Sequence, residues 1–244
     1  MTNLSIIALK NARNLEIRKH YYNFFITYYM SLINKNTPFS ETCFKEENGF
    51  GKFKPDAIEL LKKTINILKE FKIKYFIISG TLLGYVRHKD IIPWDDDIDI
   101  MVDNTIILKF NQIYQKYKNE LTFINNQNFL FKICNKNKCK PIHSYFYKNC
   151  LLNQNDQYFW PFIDMFVYNE SGNKLDFYNK SWDKKEFFPL KEVNFLNMKV
   201  NIPSNPDYFL KINYGPNYLK TFVSNNWNHK CERSHTKIEK VILD

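Results

Sequence analysis

Ile92-Pro93-Trp94-Asp95-Asp96-Asp97-Ile98-Asp99-Ile100-Met101-Val102-Asp103 is the stretch whose reading decides the fold. Ile98, Ile100 and Val102 are interleaved with Asp97, Asp99 and Asp103, the period of two that marks a strand with one apolar and one acidic face. Two like charges at about 4 Å repel by roughly 1 kcal/mol in bulk water and about 4 kcal/mol at an effective dielectric of 20. A carboxylate cluster at a strand end is therefore unfavourable until a cation joins it. Residues two apart on a strand share a face, so Asp97 and Asp99 can converge on one divalent ion while Ile98 and Ile100 anchor the strand. Asp96 would then point the other way. Asp95 and Asp96 belong in the turn with Pro93, orienting neighbours or solvated.

Upstream, Tyr75-Phe76-Ile77-Ile78 reads as a buried strand that ends in a tight turn at Ser79-Gly80-Thr81. Gly80 and Gly84 are two of six glycines in the chain. Backbone N–H groups at Gly80-Thr81 can cradle a phosphate. Arg87 offers a fork of donors to a phosphate, or a salt bridge to the aspartates. The segment contains neither GxGxxG nor GxxxxGK[ST], which excludes dinucleotide-binding and P-loop readings. Asp95, Asp97 and Asp99 have the spacing of an EF-hand loop, but Ile100 and Ile106 stand where that loop needs Gly and Glu. Hard oxygen ligands beside a glycine turn suit Mg²⁺ or Mn²⁺ held with substrate phosphates.

Pro55 opens a helix in which Ile58, Leu61, Ile65 and Leu68 recur at helical steps. After the acidic strand, Asn104 or Thr105 caps a second helix with the stripe Ile106, Phe110, Ile113, Tyr114 and Tyr117. Further strands are read at 129–133, 142–147 and 162–167. A hairpin follows at 195–202, then a short helix at 207–214 ended by Gly215-Pro216. The fold class is α/β (α+β), a mixed β-sheet flanked by helices. Residues 1–50 are expected to form an N-terminal helical extension and residues 51–244 a single domain around the acidic strand.

The chain of 244 residues carries 35 Lys and Arg against 25 Asp and Glu, a net charge of +10 that favours phosphates or anionic surfaces. Its lysines are scattered singly, without the dense run of a nucleic-acid arm, so nucleic acid is not the expected partner. The five cysteines are odd in number and irregularly spaced, which argues against a disulfide framework. Cys134, Cys139, His143 and Cys150 match no standard zinc spacing and read as independent residues. No stretch has the length of a membrane span and no signal peptide is read, so cytoplasmic residence is expected.

Gly80-Thr81-Leu82-Leu83-Gly84, Arg87 and the run from Ile92 to Ile100 resemble the signature of the LicD family, which includes bacterial phosphocholine transferases and, among animals, fukutin and its related protein. The resemblance extends through Phe162-Ile163-Asp164-Met165-Phe166 to Ile202-Pro203 and Tyr214-Gly215. It implies a nucleotidyltransferase-like fold in which the Gly80-Thr81 turn holds phosphates, Asp97 and Asp99 hold a divalent metal and Asp164 is a third carboxylate. Whether Asp164 is general base or shared ligand stays open. The implied reaction moves a phospho-alcohol, such as phosphocholine or ribitol phosphate, from a CDP-alcohol donor to a sugar hydroxyl of a glycan or glycoconjugate acceptor. Transfer of a whole nucleotide with loss of pyrophosphate is the rival enzymatic reading, and a non-catalytic binder the third.

Overall fold

The computed structural model describes residues 48–138, 140–141, 159–177, 180–224, 227–229, 233–234 and 240–242. Helix α1 (Lys54–Glu70) starts with Pro55 in its first turn and buries Ala57, Leu60, Leu61, Ile65 and Leu68. It leads into β1 (Tyr75–Ile77), α2 (Ser79–Leu83) and a single wide turn of helix, Gly84–His88. Then come β2 (Ile98–Asp103), α3 (Thr105–Tyr117), β3 (Leu121–Asn126) and β4 (Leu130–Asn135). The pair β5 (Lys140–Pro141) and β6 (Phe159–Trp160) precedes β7 (Ile163–Ser171), β8 (Lys174–Phe177) and β9 (Lys180–Asp183). A hairpin of β10 (Lys191–Phe195) and β11 (Met198–Ile202) is followed by α4 (Pro206–Tyr214). Short strands β12 (Thr221–Val223), β13 (Trp227–Asn228), β14 (Arg233–Ser234) and β15 (Lys240–Ile242) end the described chain.

The principal sheet has the order β1-β2-β7-β4-β3, and β8 and β9 extend it from β7. Strands β2 and β7 pair in parallel, whereas β1 with β2 and β7 with β4 are antiparallel. The sheet is mixed, as expected. Parallel neighbours need a long connection, and the segment from α3 through β6 supplies it.

Every residue of β2 is buried, its aspartates included. The expected acidic face is thus not a solvated one, because β2 is an inner strand covered on both sides. Gly80-Thr81 is not a tight turn but the first turn of α2, and the chain reverses one residue earlier, at Ser79 with φ 49°. Asn104 makes no side-chain cap on α3. Asp103 does that work, its Oδ1 accepting from the Thr105 N–H at 2.9 Å. The hairpin expected at 195–202 begins at Lys191, and its turn residues Leu196 and Asn197 both take positive φ. Cys134 is disulfide-bonded, which corrects the reading of independent cysteines. The strand expected at 142–147 and the helix expected before residue 48 lie outside the described residues. No helix among the described residues is long and apolar enough to cross a membrane.

Candidate functional site

Three adjacent strands carry the centre of the site. Asp99 of β2 pairs with Asp164 of β7, and Asp164 pairs with Lys132 of β4. Directly paired residues on neighbouring strands share a face, so the register alone sets two carboxylates and an ammonium in one row. Asp97, one step before β2, has the parity of Asp99 and joins them. Oxygens of Asp97, Asp99 and Asp164 lie within 4.8 Å of one another. The two carboxylates read from the acidic strand and the third from the 162–167 strand are therefore brought together.

Each member is held by a different neighbour. Thr81 Oγ1 accepts from the Asp99 N–H at 2.8 Å, which ties the first turn of α2 to β2. Lys132 Nζ donates to Asp164 Oδ2 at 3.0 Å and lies 3.6 Å from the Phe162 ring centroid. Asp164 Oδ1 is buried without a hydrogen bond, with Lys132 Nζ 2.9 Å away as an ion-pair partner. His229 Nε2 lies 3.0 Å from Asp97 Oδ2, and the His229 backbone N–H donates to Asp96 Oδ2 at 3.0 Å. Asp95 and Asp96 are buried rather than solvated, and both orient neighbours. Asp95 hydrogen-bonds with Asp97, while the carbonyl of Asp96 accepts from Trp160 Nε1 at 2.7 Å.

The electrostatics follow from this crowding. Burial, then the charges of Asp97 and Asp164, push the Asp99 carboxyl well above its ordinary range. Burial and the charges of Asp97, Asp99 and Asp96 do the same to Asp95. Burial lifts Asp164 to about 6 against the opposing pull of Lys132 and His229. Burial also works to raise Asp97, but the charge and hydrogen bond of His229, with Asp95 and Lys132, hold it below its usual value. Tyr214 is exposed as a residue, but desolvation at its hydroxyl and then the charges of Asp99, Asp95 and Asp97 raise that group, which puts the end of α4 in the field of the site. Three hard-oxygen donors, two of them buried and resisting ionisation, fit a small divalent cation, since its charge would remove the repulsion that now keeps protons on them.

The remaining expected residues sit beside this row. A Cβ on Gly80 would fall 2.3 Å from Asp95 Oδ2, so the absence of a side chain there lets the aspartate close in. Arg87 forms no hydrogen bond or ion pair with the aspartates, although the charge of Asp95 acts on it. Its Nη1 donates to the carbonyls of Thr221 at 2.7 Å and Tyr218 at 3.1 Å, and its guanidinium lies 4.4 Å over Phe222. Burial lowers it to about 10. Trp94 Nε1 donates to Val223 O at 3.0 Å. Two site residues were not foreseen. Lys132 had a signal, a lone charge inside an apolar strand; His229 stands in a polar C-terminal stretch with none.

Residues 72–205 match the family model described as LicD/FKTN/FKRP, nucleotidyltransferase domain, more than half of the chain. An uncharacterised protein of Rickettsia typhi is 31% identical over 154 residues, 61% of this chain and 42% of that protein. Lipopolysaccharide cholinephosphotransferase LicD of Haemophilus influenzae is 40% identical over 48 residues, 20% of this chain and 18% of its own. The mouse ribitol 5-phosphate transferase FKRP is 23% identical over 174 residues, covering 68% of this chain and 33% of its own. The chain thus spans about half or less of the length of these curated relatives. A solved structure, the lincomycin-bound lincosamide antibiotic adenylyltransferase LnuA, overlaps 60% of this chain and 79% of its own at a TM-score of 0.35 and 11% identity, too distant to bear on function. The matched segment contains the strand row with Asp97, Asp99 and Asp164, and on that span the chain belongs to the LicD/FKTN/FKRP nucleotidyltransferase-domain family.

Proposed function

We propose that this chain is a metal-dependent transferase that moves a phospho-alcohol from a CDP-activated donor to a sugar hydroxyl of a glycan. Residues 51–244 would form its catalytic domain and residues 1–50 an N-terminal extension. The observation that carries the reading is the convergence of Asp97, Asp99 and Asp164 within 4.8 Å, next to α2. The two relatives named for transferring cholinephosphate and ribitol 5-phosphate support the class of cargo. The disulfide at Cys134 weighs against the expected cytoplasmic location, because such bonds are rare in reducing compartments.

Asp97, Asp99 and Asp164 would hold Mg²⁺ or Mn²⁺. A divalent ion held there would supply positive charge against the donor's pyrophosphate and the charge left on CMP. Thr81 keeps Asp99 fixed through the Asp99 N–H, so the β2 ligand does not shift as charge develops. Lys132 keeps Asp164 aimed from the β4 side. The backbone of Gly80 and Thr81 lies at the start of α2, where donor phosphate oxygens would be received. Arg87 acts one step away by holding the 218–221 carbonyls beside the row.

The test is product identity. The protein is incubated with metal, a glycan acceptor mixture and, in turn, CDP-choline, CDP-ribitol, CDP-glycerol and the four nucleoside triphosphates. Release of CMP from at least one CDP donor, lost in Asp97→Asn and Asp99→Asn and in EDTA, is the expected result. Pyrophosphate release from a triphosphate, with every CDP donor inert, overturns the reading in favour of nucleotidyl transfer.

A further inference from the structure

The three carboxylates of the row differ in how they are fixed. Asp99 lies in a ladder and its N–H is taken by Thr81; Asp164 lies in a ladder and is paired with Lys132. Asp97 precedes β2 and belongs to no ladder. Its side chain is the most open of the three, 15% exposed against 5% for Asp164. Asp95 hydrogen-bonds with it from two residues away, and its other restraint comes from far along the chain. His229, 133 residues beyond Asp96, donates its backbone N–H to Asp96 Oδ2 at 3.0 Å and presents Nε2 to Asp97 Oδ2 at 3.0 Å. Phe162 meets the imidazole nearly perpendicularly, with ring centroids 5.4 Å apart, which limits its tilt. The backbone contact fixes where the residue sits and Phe162 fixes how the ring lies. His229 also lies outside the matched residues 72–205.

We propose that His229 is a positioning residue for Asp97, its Nε2–H occupying Oδ2 so that the other carboxylate oxygen is presented to the ion shared with Asp99 and Asp164. The inference rests on the carboxylate row being the metal centre. The donor exists both in the imidazolium and in the neutral Nε2–H tautomer, so no particular charge state is required. Partners of this kind typically change metal affinity by about 10- to 100-fold when removed. A histidine acting instead as a ligand would place its nitrogen on the ion itself.

The test is Mn²⁺ binding by the full chain, followed by electron paramagnetic resonance of the free ion, for wild type, His229→Ala, His229→Gln and Asp99→Asn. His229→Ala should bind about 10- to 100-fold more weakly. His229→Gln, whose amide can still donate to Asp97, should recover most of that loss. Thermal melts confirm that the variants are folded. If the alanine variant does not fold, His229→Asn, too short to reach Asp97, replaces it as the non-donating reference. Wild-type affinity in His229→Ala, a glutamine variant as weak as alanine, or a spin-echo signature of directly coordinated imidazole nitrogen overturns the proposal. No Mn²⁺ binding by the wild-type protein overturns the metal reading itself, whereas wild-type binding with an unaffected His229→Ala overturns only the role given to His229.

Discussion

Gly80→Ala tests why a glycine stands in the first turn of α2. The added Cβ would stand 2.3 Å from Asp95 Oδ2 and 3.3 Å from its Cγ. An ordinary contact needs about 1 Å more, so either the helix start or the Asp95 carboxyl must move. Asp95 has little freedom. Its carbonyl accepts from the Phe50 N–H at 3.1 Å, its own N–H donates to Ile92 O at 2.9 Å, and the residue is 7% exposed. Overpacking of this kind costs about 1–3 kcal/mol. Alanine's advantage over glycine inside a helix, about 1 kcal/mol, opposes it. The single variant is therefore a poor measure, and the coupling with Asp95→Ala is the informative one. With the carboxyl gone, Gly80→Ala should be neutral or stabilising. The four proteins of the double-mutant cycle, unfolded in urea with EDTA present, should show a coupling of about 1–3 kcal/mol with unchanged m-values. Additivity within about 0.5 kcal/mol would refute the steric account. Loss of donor affinity at unchanged stability would assign the glycine to the phosphate instead.

Lys132→Met removes the cation beside a buried carboxyl, and breaking one side of such a pair costs about 3–5 kcal/mol; the Lys132→Met/Asp164→Asn double variant should regain much of this in thermal melts, and a single-variant loss below about 1 kcal/mol would contradict the buried pairing. In EDTA, stability should fall as pH rises from the ordinary 3.8 of an aspartate through about 6, because folded Asp164 keeps a proton that the unfolded chain has released. Asp99 and Asp95, raised in the same direction by burial first, add to that slope. Urea midpoints across this range, with and without Mn²⁺, check it; a metal-free protein that grows more stable over the same interval would reverse the sign and the argument.

How much of this was legible in the sequence depends on how local each signal is. The β2 pattern depends on residues one and two apart, so Asp97 and Asp99 could be placed on one face from sequence alone. Asp164 could be read as a carboxylate inside an apolar strand, but its register opposite Asp99 is a long-range fact that the chain does not spell out. The start of the 191–202 hairpin was missed because Leu196 and Asn197 adopt positive φ without a glycine, removing the usual turn signal. Strands β8 and β9 carry no legible strand pattern, since only Leu175 and Trp182 are buried among their residues. Arg87 was legible as a fork of donors for a phosphate or the aspartates but not as a donor to carbonyls, because its acceptors are backbone atoms more than 130 residues away. His229 gave no signal at all; a lone histidine acquires meaning only from what lies opposite it.

The internal contacts of Arg87 and Trp94 change what the acidic motif has to accomplish. A row with three carboxylates repels itself, and the sheet can hold only the two that lie in ladders, Asp99 and Asp164. The rest of the restraint must come from outside the sheet. Arg87 grips the carbonyls of Tyr218 and Thr221, Trp94 grips that of Val223, and Asp96 receives the N–H of His229. Each of these hydrogen bonds ends on a backbone group, so together they fix Tyr218, Thr221, Val223 and His229 beside the motif, with Phe222 packed against Arg87. His229, fixed in this way, meets the one carboxylate the sheet leaves loose. The motif thus supplies two of the three acidic ligands of the proposed centre and also the hooks that bring up the wall beside them. A substitution at Arg87 or Trp94 should for that reason disturb the site from its rim, through the position of His229, rather than by removing a group that touches substrate.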